Sequence, residues 1–504
     1  MATASGHDVP TPLLGRRPTG GGRSGLLVLS LIVATLTAGC GTPQFSAAWD
    51  PYAAAPPAPG GPWLASDGKR QPRLSTLIER LSADVDIDTD KVHGLADLID
   101  LAQRHNPETR RAWEEARAAA ARLGRAESTW FPTLAAMAAA GTSRVVEKAG
   151  VNGGGAVPVV GPELTPSLQL SWLLLDFGRR SAAVEEAGWE VMAANLHFNR
   201  KHQEIVFSVS ESFFALDASR ARLGAATVTL EQAGAVAEAV QARLEQGLAT
   251  RPDLLLALQE RARAAYEVQE AQGLVADARA RLAESIGISP TMPLQVADLG
   301  SVPLPSELPA TIEQVMDRSL SRRPDLAARL AALRAREAEL KRAEADFRPQ
   351  MRLSSSVGGD LGRYTFGGSP TISFGTQTYG AFLNFEWKLF DGFERENRVR
   401  EAASQRGVAE AEVAALELRV IRQVWQAYTD VKTSLGKREF ALALVAASEE
   451  AYAATLESYR AAGLATVLDL LAAQRDLARA RFTGIQSRAD VLRATSALIF
   501  AAGD

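Results

Sequence analysis

The sequence contains few cysteine, histidine and aromatic residues. Its single cysteine excludes an internal disulfide framework and a cysteine-rich metal or iron–sulfur site. The five histidines are scattered along the chain, so we do not expect a histidine-rich metal cluster. Aromatic residues make up 6% of the chain against 46% for all hydrophobic residues, which leaves alanine and leucine as the main apolar residues. That composition is typical of long helices in close contact.

An excess of charge of one sign is also absent. The 55 Lys and Arg residues nearly balance 59 Asp and Glu residues, and the net charge of −4 argues against a dedicated nucleic-acid binder. A mean hydropathy of −0.06 excludes a polytopic helical membrane protein. It leaves open a β-barrel, in which only every second residue faces lipid. Catalytic motifs, such as a Gly-rich phosphate loop, a metal-ligand cluster or a nucleophile elbow, are not found, so we expect no enzyme, cofactor or metal.

The N-terminus has the pattern of a secretion signal followed by a site of lipid attachment. Arginines between positions 16 and 23 precede the apolar run 26–37, which has the length of a signal-peptide core. The run ends in small residues that lead directly into Cys40, and this resembles a bacterial lipobox. We therefore predict a signal peptide over residues 1–39 and a lipid (palmitate) on Cys40. An ordinary secretory signal with a chance cysteine is the alternative.

The rest of the chain is a duplication. Residues 247–255 match residues 463–471 at a shift of 216 positions (463 − 247), and other anchors keep nearly the same shift. The sequence therefore predicts a first half over 95–286 and a second half over 311–504, joined by the Pro-rich linker 287–310.

Each half is predicted to have the same order of elements. A helical stretch comes first, a segment with two strands follows, then a very long helix, and a further helix after a glycine turn. The long helices carry apolar residues seven apart, which indicates coiled-coil partners. The predicted ranges are 95–129, 132–178, 180–246 and 250–285 in the first half, and 311–346, 349–391, 394–461 and 466–501 in the second.

The strands alternate between apolar and polar residues. This pattern is typical of a transmembrane barrel strand, although a soluble antiparallel strand packed on one face shares it. Four strands per chain cannot close a barrel, and an open sheet edge is not tolerated in lipid, so several chains must pool their strands. The predicted lipid-facing residues are Leu168, Leu170, Trp172 and Leu174, with Leu383, Phe385, Trp387 and Leu389.

The duplicated plan, the repeated Gly-Leu-Ala-Thr turns and the lipobox together resemble the TolC-type outer-membrane efflux proteins. The predicted lipid anchor at Cys40 and the Pro- and Ala-rich segment that follows it, residues 44–73, are most similar to the NodT/OprM-like lipoprotein branch. The resemblance implies a homotrimer, in which a 12-stranded β-barrel in the outer membrane continues into a periplasmic α-helical barrel. Residues 40–94 would then form a lipidated tether and equatorial segment, and the linker 287–310 would join the same belt.

The resemblance also implies a function. Such a protein would be the exit duct of a tripartite efflux system, taking small molecules or drugs from an inner-membrane transporter and a periplasmic adaptor. It would be lipid-anchored in the outer membrane and extend into the periplasm. Two alternatives stay open: the duct of a type I protein secretion system, and a non-channel, lipid-anchored periplasmic coiled-coil scaffold.

The two repeated turns match the family's tip motif, where adaptor hairpins dock. An apolar leucine at an exposed turn favours docking, because helix capping does not explain it. The predicted docking residues are Gly247, Leu248, Ala249 and Thr250 in the first half and Gly463, Leu464, Ala465 and Thr466 in the second.

The same turns predict helix caps and a periplasmic gate. Thr250 with Asp253, and Thr466 with Asp469, have the spacing of a capping box. In the family, acidic rings constrict the tunnel mouth, and Asp469 matches the first of them. Arg460 lies one turn before the second tip, and we predict that it pairs with Asp253 as a latch of the closed state.

Overall fold

The computed structural model of the protein describes residues 90–148, 156–299, 304–305, 311–366, 370–461 and 465–503. The predicted signal peptide 1–39, Cys40 and nearly all of the segment 40–94 lie outside the described residues. So do Gly463 and Leu464 of the second tip and much of the linker 287–310.

The described residues are mainly helical, and their elements repeat. The helices are α1 (Leu95–His105), α2 (Pro107–Glu127), α3 (Arg179–Glu245), α4 (Arg251–Ile286), α5 (Ile312–Arg322), α6 (Pro324–Ala345), α7 (Glu394–Arg460) and α8 (Val467–Ala502). The strands are β1 (Val92–His93), β2 (Thr133–Lys148), β3 (Ala156–Leu175), β4 (Gln295–Val296), β5 (Gln350–Phe366) and β6 (Ile372–Glu386). The predicted duplicated order of helix, strand pair, long helix and further helix is confirmed, and the long helices end within one residue of their predicted bounds.

The first helical stretch of each half is broken, where a continuous helix was predicted. Asn106 and Arg323 have extended backbone conformations, because each precedes a proline that starts the next helix. The two breaks have equivalent contacts. The Asn106 side chain donates to the Ser285 carbonyl at 2.8 Å, and the Arg323 guanidinium donates to the Ala501 carbonyl at 3.4 Å. Each break is therefore hydrogen-bonded to the end of the last helix of the same half, α4 in the first and α8 in the second.

The four long strands form one antiparallel sheet in the order β2-β3-β5-β6. Trp172 pairs with Leu353, and Leu353 pairs with Leu383. Directly paired residues lie on the same face of a sheet, so the predicted apolar residues of both halves share one face. Polar residues such as Gln169 and Ser356, which also pair, occupy the other face.

Two of the predicted lipid-facing residues are not strand residues, because β6 stops at Glu386. Trp387 and Leu389 keep the alternating sequence pattern but lie beyond the strand. The reason is that the partner strand β5 begins at Gln350, which pairs with Glu386, so residues further along have no strand to pair with. The other six predicted residues lie within β3 or β6.

The helices pack through buried apolar residues, many of which are alanine, with leucine and valine at the main core. A core of buried side chains lies where α1, α3 and α4 meet, and it includes Leu98, Val209, Leu216 and Leu282. Val209 and Leu216 belong to the predicted seven-residue seam. Each of the two long helices has 67 residues, which corresponds to about 100 Å. Within the described ranges, none of the helices combines the length and apolar character needed to cross a membrane.

Candidate functional site

The first tip turn, Gly247–Thr250, follows directly from the end of α3. Gly247 has φ of +73°, a left-handed conformation that glycine adopts without strain. The Leu248 amide donates to the Arg243 carbonyl at 2.8 Å, which closes the helix end as a Schellman motif. The Leu248 side chain is 67% exposed. The turn is therefore rigid in its backbone and presents an apolar side chain to solvent.

Both predicted capping boxes are confirmed. The Thr250 amide donates to the Asp253 carboxylate at 2.9 Å, and the Asp253 amide donates back to the Thr250 hydroxyl at 3.4 Å. Thr466 and Asp469 make the same pair of bonds at 2.9 and 3.2 Å. The box starts α4 and α8 at equivalent positions.

Hydrogen bonds at the caps keep both aspartates ionised. Those from the Thr250 hydroxyl and amide hold the pKa of the Asp253 carboxyl below its ordinary value, and Thr466 lowers the pKa of Asp469 in the same way. A carboxyl whose pKa is lower in the folded state than in the unfolded state stabilises the fold at every pH above its unfolded-state pKa. This contribution to stability is lost as the pH falls through the folded-state pKa. Both caps are therefore complete at neutral pH.

The two tips are packed against each other. Val236, Val240 and Ala257 of the first half share a buried cluster with Val467 and Leu470 of the second. Ala249 and Ala465, both predicted docking residues, lie against this cluster and are partly buried. The structure therefore brings the described residues of the two tips together at one end of the helices.

The predicted latch is wrong. Among the described ion pairs, none joins Arg460 to Asp253; the Asp253 carboxylate accepts from the Thr250 amide and hydroxyl through one of its oxygens. Arg460 is exposed at the last position of α7.

Another arginine joins the two halves beside the tips. Arg243 donates to the Tyr459 carbonyl at 3.1 Å, and its guanidinium lies 4.5 Å from the centre of the Tyr459 ring. Arg243 and Tyr459 each lie four residues before their tip glycine. The repeat offset of 216 was the sequence signal that could have identified this contact.

A second cluster lies where the strands meet the long helices, and the sequence analysis missed it. Arg180, at the start of α3, is 6% exposed and pairs with Asp176, which is 4% exposed, at 3.0 Å. Its guanidinium also donates to the Leu173 carbonyl at 2.6 Å and the Leu174 carbonyl at 3.0 Å, at the end of β3. The ring of Trp130 covers it, with its centre 4.2 Å away. This arginine therefore ties the strand end to the helix start.

The second half repeats this junction. Arg395 pairs with Asp391, and its guanidinium lies 5.0 Å from the centre of the Phe347 ring. Two tryptophans complete the arrangement: Trp172 donates to the Trp130 carbonyl at 2.9 Å, and Trp387 donates to the Phe347 carbonyl at 3.1 Å. The indole of Trp387 therefore holds the junction rather than extending the sheet.

Comparisons with known proteins agree with this architecture. The family model described as outer membrane efflux protein matches residues 98–288 and 315–504, one match for each half. The chain is 29% identical over 412 residues to Protein CyaE of Bordetella pertussis, covering 81% of this chain and 84% of that protein. It is 24% identical over 339 residues to the outer membrane efflux protein BepC of Brucella suis, covering 67% and 72%.

Among solved structures, the outer-membrane channel OprN superimposes with a TM-score of 0.70 at 23% identity, covering 84% of this chain and 95% of that one. The chain belongs to the outer membrane efflux protein family. It is therefore a TolC-type outer-membrane channel with a periplasmic extension, and not an enzyme. Within the described ranges, no group of three or more histidine, cysteine or acidic side chains is placed to hold a metal.

Proposed function

We propose that the chain is one third of a homotrimeric duct, which passes small molecules or drugs from an inner-membrane pump and a periplasmic adaptor out of the cell. The observation that carries the proposal is the four-stranded sheet with one apolar face. Its outer strands β2 and β6 pair on one side only among the described strands. In lipid, each unpaired backbone group costs several kcal/mol, so β6 of one copy would pair with β2 of the next.

Large apolar side chains on the outermost helices support the same assembly. Leu418 and Trp425 on α7 are 70% and 58% exposed. At the opposite edge of the chain, Trp113 on α2 and Tyr266 on α4 are 47% and 71% exposed. Neighbouring copies would cover both edges, because exposed apolar surface of this kind marks an interaction site.

We propose that the tips dock the adaptor. Leu248, with its exposed side chain, is the strongest candidate, and the remaining tip residues would shape the turn around it. Gly463 and Leu464 would serve the second tip in the same way. The tip architecture supports this role because the capping boxes fix the backbone without using the leucine.

Replacing Leu248 with Glu is expected to abolish adaptor binding and efflux, because it puts a charge where an apolar contact is needed. The fold should be unaffected, since the side chain makes no buried contact. Dye accumulation in cells and in-cell crosslinking to the adaptor from the exposed position 251 measure both effects. Thr250→Ala is the comparison variant: it should cost about 1 kcal/mol of capping but keep the leucine, so it should weaken adaptor binding much less than Leu248→Glu. Equal adaptor crosslinking in Leu248→Glu would contradict the docking role.

For the gate, we propose that Asp253 and Asp469 form an anionic mouth and that Arg243, rather than Arg460, restrains it. Arg243→Ala removes the hydrogen bond and ring contact to Tyr459, so we expect larger or less stable single-channel conductance. Arg460→Ala, the matched control, removes an exposed arginine and should leave conductance unchanged. If the two variants behaved alike, the Arg243 contact would have no role in gating.

We further propose that Cys40 carries the lipid anchor. In a Cys40→Ser variant with a cleavable signal, the protein should stay in the outer-membrane fraction, because the pooled strands hold it there. Release into the soluble periplasmic fraction would instead identify a lipid-tethered scaffold. The alternative is the duct of a type I protein secretion system. In that case a strain lacking this chain would no longer release a particular protein into the medium, and it would not accumulate dye.

A further inference from the structure

Basic residues lie on the polar face of the sheet and just beyond it, at the end nearest the long helices. Gln350 and Glu386 pair at the last row of the sheet. Arg348 lies two residues before Gln350 and Lys388 two residues after Glu386, outside the strands, and both line a pocket of about 80 Å³ together with that pair. Arg352 lies two rows further into the sheet, on the same face as Gln350, where it donates to the Ser171 hydroxyl at 3.2 Å. We refer to Arg348, Arg352 and Lys388 as the collar.

The acidic residues around the collar are already paired. Asp346 lies 2.8 Å from both Arg179 and Arg398. In the same pocket, Arg395 forms an ion pair with Asp391, and Arg398 forms a further ion pair with Glu394.

Within the described residues, the collar side chains have no carboxylate within 4.0 Å, and Glu386 is the one acidic neighbour without an ion pair. Three cations and one carboxylate leave a charge of +2 per chain, or +6 in a trimer.

The opposite end of the same face is acidic. Glu163 accepts hydrogen bonds from Ser143 at 2.9 Å and from Tyr364 at 3.1 Å. Asp360, on the same face, has a buried carboxylate oxygen without a hydrogen-bond partner. The polar face therefore changes from basic beside the helices to acidic at the far end.

We infer that the collar makes the base of the barrel lumen selective for anions, and that it binds solutes bearing carboxylate or phosphate groups as they enter the barrel. The inference rests on the proposed duct, in which the polar face lines the lumen. A ring of like charge inside a low-dielectric wall produces a potential of several kT and raises the local concentration of counter-ions. The paired charges below the collar contribute little, since they cancel.

The test is the reversal potential of the reconstituted channel in a KCl gradient. The variant carries Arg348→Gln, Arg352→Gln and Lys388→Gln together, and Lys388→Gln alone should give a smaller shift in the same direction. We expect the ratio of chloride to potassium permeability to fall by about threefold or more near 0.1 M salt. The shift should shrink near 1 M, where the screening length is about 3 Å. Arg363→Gln, on the apolar face of the same strand, is the matched control and should change nothing.

A conducting triple variant with an unchanged reversal potential would overturn the collar and leave the duct standing. An equal shift in the Arg363→Gln control would also overturn it. A wild-type protein that inserts without conducting would overturn the duct, and the collar with it.

Discussion

Arg180→Ala is expected to destabilise the protein by about 3–5 kcal/mol, because it leaves the buried Asp176 carboxylate without its guanidinium partner. The substitution also removes the donors that satisfy the carbonyls at the end of β3. The free energy of unfolding, measured by chemical denaturation in detergent, should fall by this amount. Arg180→Lys should recover only part of it, since a lysine cannot reproduce the planar fork of donors.

The neighbouring Arg179 provides the control. It pairs with Asp346 at 2.8 Å, but its side chain is 41% exposed. Exposed pairs contribute about 1 kcal/mol or less, so Arg179→Ala should be nearly neutral. If the two alanine variants unfolded at the same denaturant concentration, the junction would not hold the strands to the helices as described.

Leu168→Arg is expected to remove the protein from the outer membrane. Leu168 lies on the apolar face, opposite Val357 and Ala136 in the neighbouring strands. An arginine facing lipid at mid-bilayer costs about 2–4 kcal/mol per chain, and a trimer incurs this cost in each copy. The outer-membrane fraction and the amount of heat-resistant oligomer on semi-native gels would both fall.

Gln169→Arg is the matched control, because the adjacent residue points to the opposite face of the same strand. It places the same side chain on the polar face of the sheet and should be tolerated. Equal loss of both variants would show that the strand tolerates no arginine at all. Equal retention would show that the apolar face does not meet lipid.

The sequence predicted the long elements well because their ends carry strong local signals. Gly247 and Thr250 stop one helix and start the next through contacts within a few residues, so the pattern alone is sufficient. The break at Asn106 was missed although Pro107 was visible, because apolar and alanine-rich residues continue on both sides of it. The strand end at Glu386 was missed because it depends on where the partner strand begins.

The interactions that hold the site together could not be read from spacing. Asp176 and Arg180 are four residues apart, and this spacing usually marks an exposed helical ion pair; only the fold shows that both side chains are buried. The Arg460 latch failed for a related reason. Its intended partner Asp253 was correctly predicted as a cap, but the spacing along the chain does not show whether the two side chains meet across the turn.

The proposed duct requires three copies of this chain around one conducting pore. Single-channel recording of the purified protein in a planar bilayer, with the mass of the same sample determined by crosslinking, measures both properties together. We expect discrete conductance steps from a species with the mass of three chains. A folded protein that enters the bilayer without conducting, or that conducts as a single chain, would contradict it.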